Sequence, residues 1–345
     1  MDLSKNKISS WQKALIHWFR KSGRNYPWRE TDDPYAILVS ELMLQQTQIK
    51  TVLERRFFEN WLHKFPDVKT LADAETDHVL KAWEGLGYYN RARNLQKAAK
   101  TIVADHGGRF PETYEEILSL PGVGPYTAGA VYSFAFNRPA PIVDGNVNRV
   151  LSRVFDFRDA IDSTAGKKEI WSKADALTSP THPREYNSAI MELGQRICRK
   201  GKPDCAECPV SKWCESSHSP EAISLPVKSK SIKITRKKEE VVLLMNRGKV
   251  FLSREAGTRR NGLWKLPNLK GSDYDNVEET GQLTYPITRY QVHMKIFSPL
   301  NLKNAVEIAK NYDGVWYDLS AELPAVGAPY LRAIEESLRS KDGKL

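Results

Sequence analysis

The chain has 345 residues, 41% of them hydrophobic, and a formal net charge of +10. That length supports two or three domains with their own cores, and no stretch approaches the roughly 20 apolar residues of a membrane span. The opening residues, MDLSKNKISSWQKAL, lack the apolar run and cleavage site of a secretory signal, so a cytoplasmic or nucleoid setting that keeps thiols reduced is expected.

Residues 1 to about 215 read as mostly helical, with apolar residues at helical spacing over 10–20, 34–48, 77–86, 92–106, 113–120 and 126–136. Glycine and proline turns separate these segments, as at His106-Gly107-Gly108. Within the second segment, Glu41 is one acid among apolar neighbours (Ile37-Leu38-Val39-Ser40-Glu41-Leu42-Met43-Leu44). An exposed helix-surface glutamate is the plain reading. A dry environment would instead raise its pKa and suit it to general-acid work. Farther on, Leu120-Pro121-Gly122-Val123-Gly124-Pro125-Tyr126-Thr127 predicts a tight turn and a helix starting near Pro125, whose unpaired N–H groups suit a phosphate.

The four cysteines, Cys198, Cys205, Cys208 and Cys214, are spaced C-x6-C-x2-C-x5-C. Four thiolates suit tetrahedral zinc or a [4Fe–4S] cluster, and the irregular spacing fits the cluster better. Residues 216–240 then read as a linker with a basic run, Lys228, Lys230, Lys233, Arg236, Lys237 and Lys238. A plain charged connection and a DNA contact both remain open for it. Beyond it, 241–245, 249–253, 288–297 and 314–318 read as strands and 326–338 as a helix, giving an α+β domain of about 100 residues.

Taken together, the glycine hairpin, the Val143-Asp144-Gly145-Asn146 string and the cysteine pattern resemble the helix-hairpin-helix superfamily of DNA glycosylases, which includes endonuclease III and the MutY family. The string around Glu41, Trp83-Glu84-Gly85-Leu86-Gly87-Tyr88-Tyr89 and Tyr26-Pro27-Trp28-Arg29 resemble MutY in particular. The resemblance runs from about residue 8 to 215. It is weaker over 226–345, where Gly262-Leu263-Trp264-Lys265-Leu266-Pro267 is similar to MutY's Nudix-related C-terminal domain. No Nudix catalytic box is present there, so that domain is expected to recognise rather than hydrolyse.

The resemblance implies a multi-domain fold: an all-α helix-hairpin-helix core with a [4Fe–4S] loop, then a smaller α+β Nudix-like domain. Its expected limits are 1–215 (a six-helix barrel at about 30–137, and an iron–sulfur subdomain from 1–29 with 138–215), a linker at 216–240, and 241–345. It implies removal of adenine opposite 8-oxoguanine or guanine from a flipped-out nucleotide. Glu41 would protonate the base, and Asp144 would stabilise the oxocarbenium ion. Tyr126 and Asn146 would orient them. Where lyases of the superfamily carry a Schiff-base lysine this chain has Tyr126, so no strong lyase activity is expected.

Double-stranded DNA with a mismatched or oxidised pair is the implied partner, and a monomer is expected. DNA contacts are implied at Arg29, Gln46, Tyr88, Gly122, Gly124 and Thr127. Gln46 and Tyr88 would wedge into the duplex, though core packing for Tyr88 and a surface amide for Gln46 also stand. Trp28 and Ser188 belong to the implied base pocket. A monovalent or divalent cation at the hairpin is a further implication. Two departures stand out. Ser188 replaces the usual Gln or Glu, and Ile287-Thr288-Arg289 replaces the lesion-reading Phe-Ser-His turn, with Tyr285, Tyr290 and His293 as alternative readers. These departures leave open a related glycosylase with another target; a silent lesion-binding protein is a further alternative, against which Glu41 and Asp144 both stand.

Overall fold

The computed structural model describes residues 4–229, 233–257 and 260–342, and the chain divides into two compact units. The first comprises residues up to 73 together with 94–231; the second comprises 74–93 together with the residues from 232 on. Among the described residues no helix is long and apolar enough to cross a membrane.

The helices in chain order are α1 (Lys5–Ser22), α2 (Pro34–Leu44), α3 (Ile49–Glu54), α4 (Phe57–Lys64), α5 (Val68–Asp73), α6 (Thr76–Ala82) and α7 (Asn90–His106). They continue with α8 (Tyr114–Ser119), α9 (Pro125–Phe134), α10 (Gly145–Val154), α11 (Thr164–Leu177) and α12 (Pro183–Arg196). Helix α2 starts where Asp33 caps the Tyr35 N–H and Pro34 occupies the first turn, which needs no donor there. Every residue from Tyr35 to Met43 is buried, as expected of a helix apolar all round. It packs against α9, which is buried over Thr127–Val131.

Helix α12 packs against α1, α9 and α10. Around it Trp11, Leu15, Val147, Leu151, Ile170, Tyr186 and Leu193 form a second core, against which Cys198, Cys208 and Cys214 pack. Helix α2 ends at Leu44, four residues before the expected limit, so Gln45–Gln48 form the exit turn.

The second unit contains two sheets. In one, β1 (Thr235–Val242) runs parallel to β6 (Tyr290–Pro299), which pairs antiparallel with β5 (Val277–Ile287). In the other, β3 (Lys249–Arg254) pairs with β2 (Met245–Asn246), β4 (Trp264–Lys265) and β7 (Val315–Asp318). Helices α13 (Leu302–Ala309) and α14 (Ala328–Asp342) complete the unit, and Val241, Leu252, Met294, Ile296, Val326 and Tyr330 share its main core.

Two expectations need correction here, and one strand was missed. The basic run expected in a linker is divided: Arg236, Lys237 and Lys238 lie in β1, Lys228 and Lys233 outside any helix or strand, and Lys230 outside the described residues. As an outer strand of its sheet β1 keeps those cations solvated while its backbone pairs with β6. Residues Thr288 and Arg289 are a two-residue turn rather than the start of a strand. The long strand β5 escaped the pattern reading because its inward positions are only half-buried.

Gly194 marks the closest approach of α12 to α10. A Cβ there would stand 2.7 Å from the Asn146 Cβ and 3.2 Å from its backbone. Alanine is favoured over glycine by about 1 kcal/mol in a helix interior. Gly194→Ala should nonetheless destabilise the fold, by about 1–3 kcal/mol, because the clash forces backbone apart. The midpoint of urea unfolding measures this; an unchanged or raised midpoint would show that α10 yields freely.

Candidate active site

Glu41 is 5% exposed on α2, and its Oε2 accepts a hydrogen bond from the Tyr126 hydroxyl at 2.8 Å. Burial is the dominant influence and pushes this carboxyl up to about 7; Tyr126 and, more weakly, Arg29 pull the other way, while the charge of Asp144 adds to the rise. Tyr126 itself is held well above the ordinary phenol range by burial, so it remains a donor. It sits in the first turn of α9 because Gly124 caps that helix and Pro125 opens it.

Asp144 caps α10. Its Oδ1 accepts from the Asn146 N–H at 2.9 Å and the Val147 N–H at 2.7 Å, and its Oδ2 from the Asn146 amide at 2.8 Å. Burial still pushes the Asp144 carboxyl above the usual range, opposed by these donors and by Arg149. Donors alone therefore do not hold it low, as a simple division into one dry and one hydrogen-bonded acid would require. The two acids differ in their support: Asp144 has three donors and a helix N-terminus, Glu41 one phenol.

A pocket enclosing about 40 Å3 opens beside Glu41, lined among others by Trp28, Arg29, Ser188, Met191 and Gln195. That is room for a few waters in its enclosed part. Trp28 is buried and stacked on Tyr26 at 5.1 Å, and Ser188 is buried. Arg29 lines this wall, and its guanidinium donates to the Arg24 carbonyl and to buried Glu192, each at 2.7 Å. Sequence reading missed Glu192, Met191 and Gln195. Positions 184, 188, 191 and 195 recur at helical spacing, a signal available once α12 is delimited.

Gly122 is exposed with φ +79°, and a side chain there would strike Asn94. Thr127 is 2% exposed, and its hydroxyl accepts from Gln45 at 3.4 Å; its side chain faces inward, so only its backbone N–H is left for a phosphate. Gln46 is exposed and left-handed at φ +58°.

In the second unit, Tyr88 is 45% exposed with φ +48°, and Arg91 lies 5.5 Å from its ring centroid. Ile287 pairs with Tyr290 across the turn, and Thr288 is left-handed at φ +52°, an outlier for a β-branched residue. Arg289 stacks over Tyr290 and donates to its hydroxyl at 3.1 Å. Tyr285 turns inward to Glu239 at 2.5 Å, and His293 pairs with Thr284 at 3.0 Å.

All four cysteines line one cavity with Arg153. Buried Arg153 donates to Cys198 Sγ at 3.4 Å and to the carbonyls of Arg199 at 2.9 Å and Gly201 at 3.2 Å. Burial pushes the Cys208 thiol up to about 11 and Cys214 up to about 12. Among the described residues no three His, Cys, Asp or Glu side chains converge closely enough to hold a single metal ion.

Residues 39–175 match the HhH-GPD superfamily of base excision DNA repair proteins. The adenine DNA glycosylase of Buchnera aphidicola (subsp. Baizongia pistaciae) is 36% identical over 256 residues, covering 73% of this chain and 71% of that protein. The human adenine DNA glycosylase is 39% identical over 219 residues, 61% of this chain and 40% of the human protein. Among solved structures, a thermostable thymine-DNA glycosylase is 30% identical with a TM-score of 0.57, covering 63% of this chain and 99% of that one. Endonuclease III bound non-covalently to DNA shares the fold, with a TM-score of 0.51 at 22% identity. The chain belongs to the adenine DNA glycosylase family and is a DNA N-glycosylase of base excision repair.

A carboxyl raised from 4.5 to about 7 destabilises the fold as pH rises between those values, because the unfolded chain gives up its proton first. The cost vanishes below 4.5 and is complete above about 7, on the order of 3 kcal/mol. Glu41→Gln should therefore gain stability over the parent protein on going from pH 5 to pH 8. Urea unfolding at both pH values checks this; an equal difference at each would mean Glu41 titrates normally.

Proposed function

We propose that this protein excises adenine mispaired with 8-oxoguanine, and with guanine, leaving an abasic site. The observation that carries the reading is the Tyr126–Glu41 contact beside a pocket, with Asp144 capping α10. Glu41, neutral up to about pH 7, protonates the departing base. As the glycosidic bond lengthens the sugar takes on positive charge. Asp144 faces that charge, oriented by Asn146 and two backbone N–H groups. Water then completes hydrolysis. Tyr126 cannot form an imine, which supports base release without strong lyase action.

DNA is gripped by the exposed hairpin around Gly122 and Gly124, whose following helix presents free N–H groups. The strained, exposed backbones at Gln46 and Tyr88 suit residues that wedge into a duplex. The second unit is the proposed Nudix-like reader of the opposite base, through the Thr288 hydroxyl and the Arg289 guanidinium at the β5–β6 turn. Of the expected limits, 1–215 and a domain from 241 are proposed, with residues 235–240 of the expected 216–240 linker belonging to β1, and the setting is the nucleoid.

The cysteine cavity suits a [4Fe–4S] group held by Cys198, Cys205, Cys208 and Cys214, which would supply structural cross-linking of the loop. The irregular C-x6-C-x2-C-x5-C spacing suits a bulky cluster better than zinc. Arg153 offsets thiolate charge there. A monovalent or divalent cation at the hairpin is proposed as part of the same DNA grip.

A second reading keeps the reaction and changes the target. The likeness to a thymine-DNA glycosylase and the short Ser188 favour thymine or another mispaired base. Retention of Glu41 beside Tyr126 and of capped Asp144 disfavours a silent binder.

Single-turnover base release separates these readings. Adenine should leave duplexes carrying 8-oxoguanine or guanine opposite, and Asp144→Asn should slow release by about a hundredfold or more. Release of thymine opposite guanine instead would favour the second reading, and normal turnover of Asp144→Asn would remove that residue from the mechanism. Purified protein should contain about four iron atoms per chain with visible absorption. Stoichiometric zinc would overturn the cluster.

A further inference from the structure

Helix α12 presents Arg184, Ser188, Met191 and Gln195 to the base pocket, one face at intervals of four, three and four residues. Their chemistry is unequal. Arg184 spends one amino group of its guanidinium on the carbonyls of Arg29 at 3.0 Å and Thr31 at 2.6 Å. Met191 is apolar and touches the Tyr126 hydroxyl through sulfur at 3.9 Å. Ser188 is buried and short.

The other polar groups of the wall are also engaged. The Tyr26 hydroxyl accepts from Arg24 at 3.3 Å, Ser40 donates to the Ile37 carbonyl at 2.8 Å, Arg29 is held by Glu192, and Glu41 by Tyr126. Trp28 offers only a donor. Gln195 alone among these described residues brings a long side chain with both a donor and an acceptor and no hydrogen-bond partner.

We propose that Gln195 is a specificity-determining residue that reads the edge of the extruded base, in place of a long polar side chain at position 188. A carboxamide matches adenine, donating to a ring nitrogen while accepting from the exocyclic amine. This inference rests on adenine being the target.

Gln195→Met keeps volume and removes both hydrogen-bonding groups, so it isolates the amide. Equilibrium binding would be measured with duplexes carrying 2′-fluoro-2′-deoxyadenosine, whose fluorine suppresses base loss, or the 2′-fluoro purine nucleoside without the amine, each opposite 8-oxoguanine. The unaltered protein should prefer the adenine duplex by about fivefold or more. Gln195→Met should bring that ratio near one, weakening the adenine duplex by more than the amine-free duplex, which loses only the bond to its ring nitrogen. Absence of a preference in the unaltered protein, its persistence in Gln195→Met, or equal weakening on both duplexes would each overturn the proposal. Nothing is cleaved in this assay, so its result stands apart from whether adenine is released.

Discussion

The first unit is organised around a carboxyl taken out of water. Glu41 lies in a helix buried all round, and its hydrogen bond comes from a phenol that is itself buried. A buried acid without a donor would be severely destabilising, so the start of α9 has to bring Tyr126 to it. Gly124 and Pro125 accomplish this by opening α9 one residue earlier. The same helix start leaves free N–H groups at the hairpin. One turn of backbone thus couples the proposed phosphate grip to the proposed acid.

Helix α12 is the second organising element. Its pocket face carries Arg184, Ser188, Met191 and Gln195, while Glu192 is wholly buried near Arg24, Arg29 and Arg196. Asn187 donates to Ser133 at 2.9 Å and the Ala140 carbonyl at 3.0 Å, tying α12 to α9 and to the approach of α10. Such buried polar networks tolerate little displacement, because each unpaired member bears its full desolvation cost. Helix α10, pressed close to Gly194, is held where Asp144 caps it. At the far end of α12, Arg153 performs the same service for the cysteine loop, satisfying several carbonyls and a sulfur.

In the second unit, one strained residue lies at a hairpin tip. Thr288 takes a left-handed conformation that a β-branched residue rarely adopts, and it sits at the tip of the β5–β6 hairpin. Below it, Glu239 accepts from Tyr285 at 2.5 Å and Tyr330 at 2.6 Å, which rigidifies the sheet behind the tip. An exposed, strained hydroxyl on a braced hairpin suits recognition better than a flexible loop would.

Much of the helical unit was legible in the chain itself, because helix formation answers to local spacing, caps and glycine–proline punctuation. The hairpin before Pro125, the capping string at Asp144 and the clustered cysteines are all contiguous segments, so they could be read directly. The edge strand β1 and the long strand β5 were not, since pairing with β6 satisfies their backbones whatever the side chains. Nor could spacing reveal that Thr127 turns inward or that Arg29 is taken up by Glu192. Residue types and local helix starts are properties of the chain; desolvation of Glu41, its pairing with Tyr126 and the burial that lifts both acids are properties of packing. They arise only when segments far apart in sequence exclude water together.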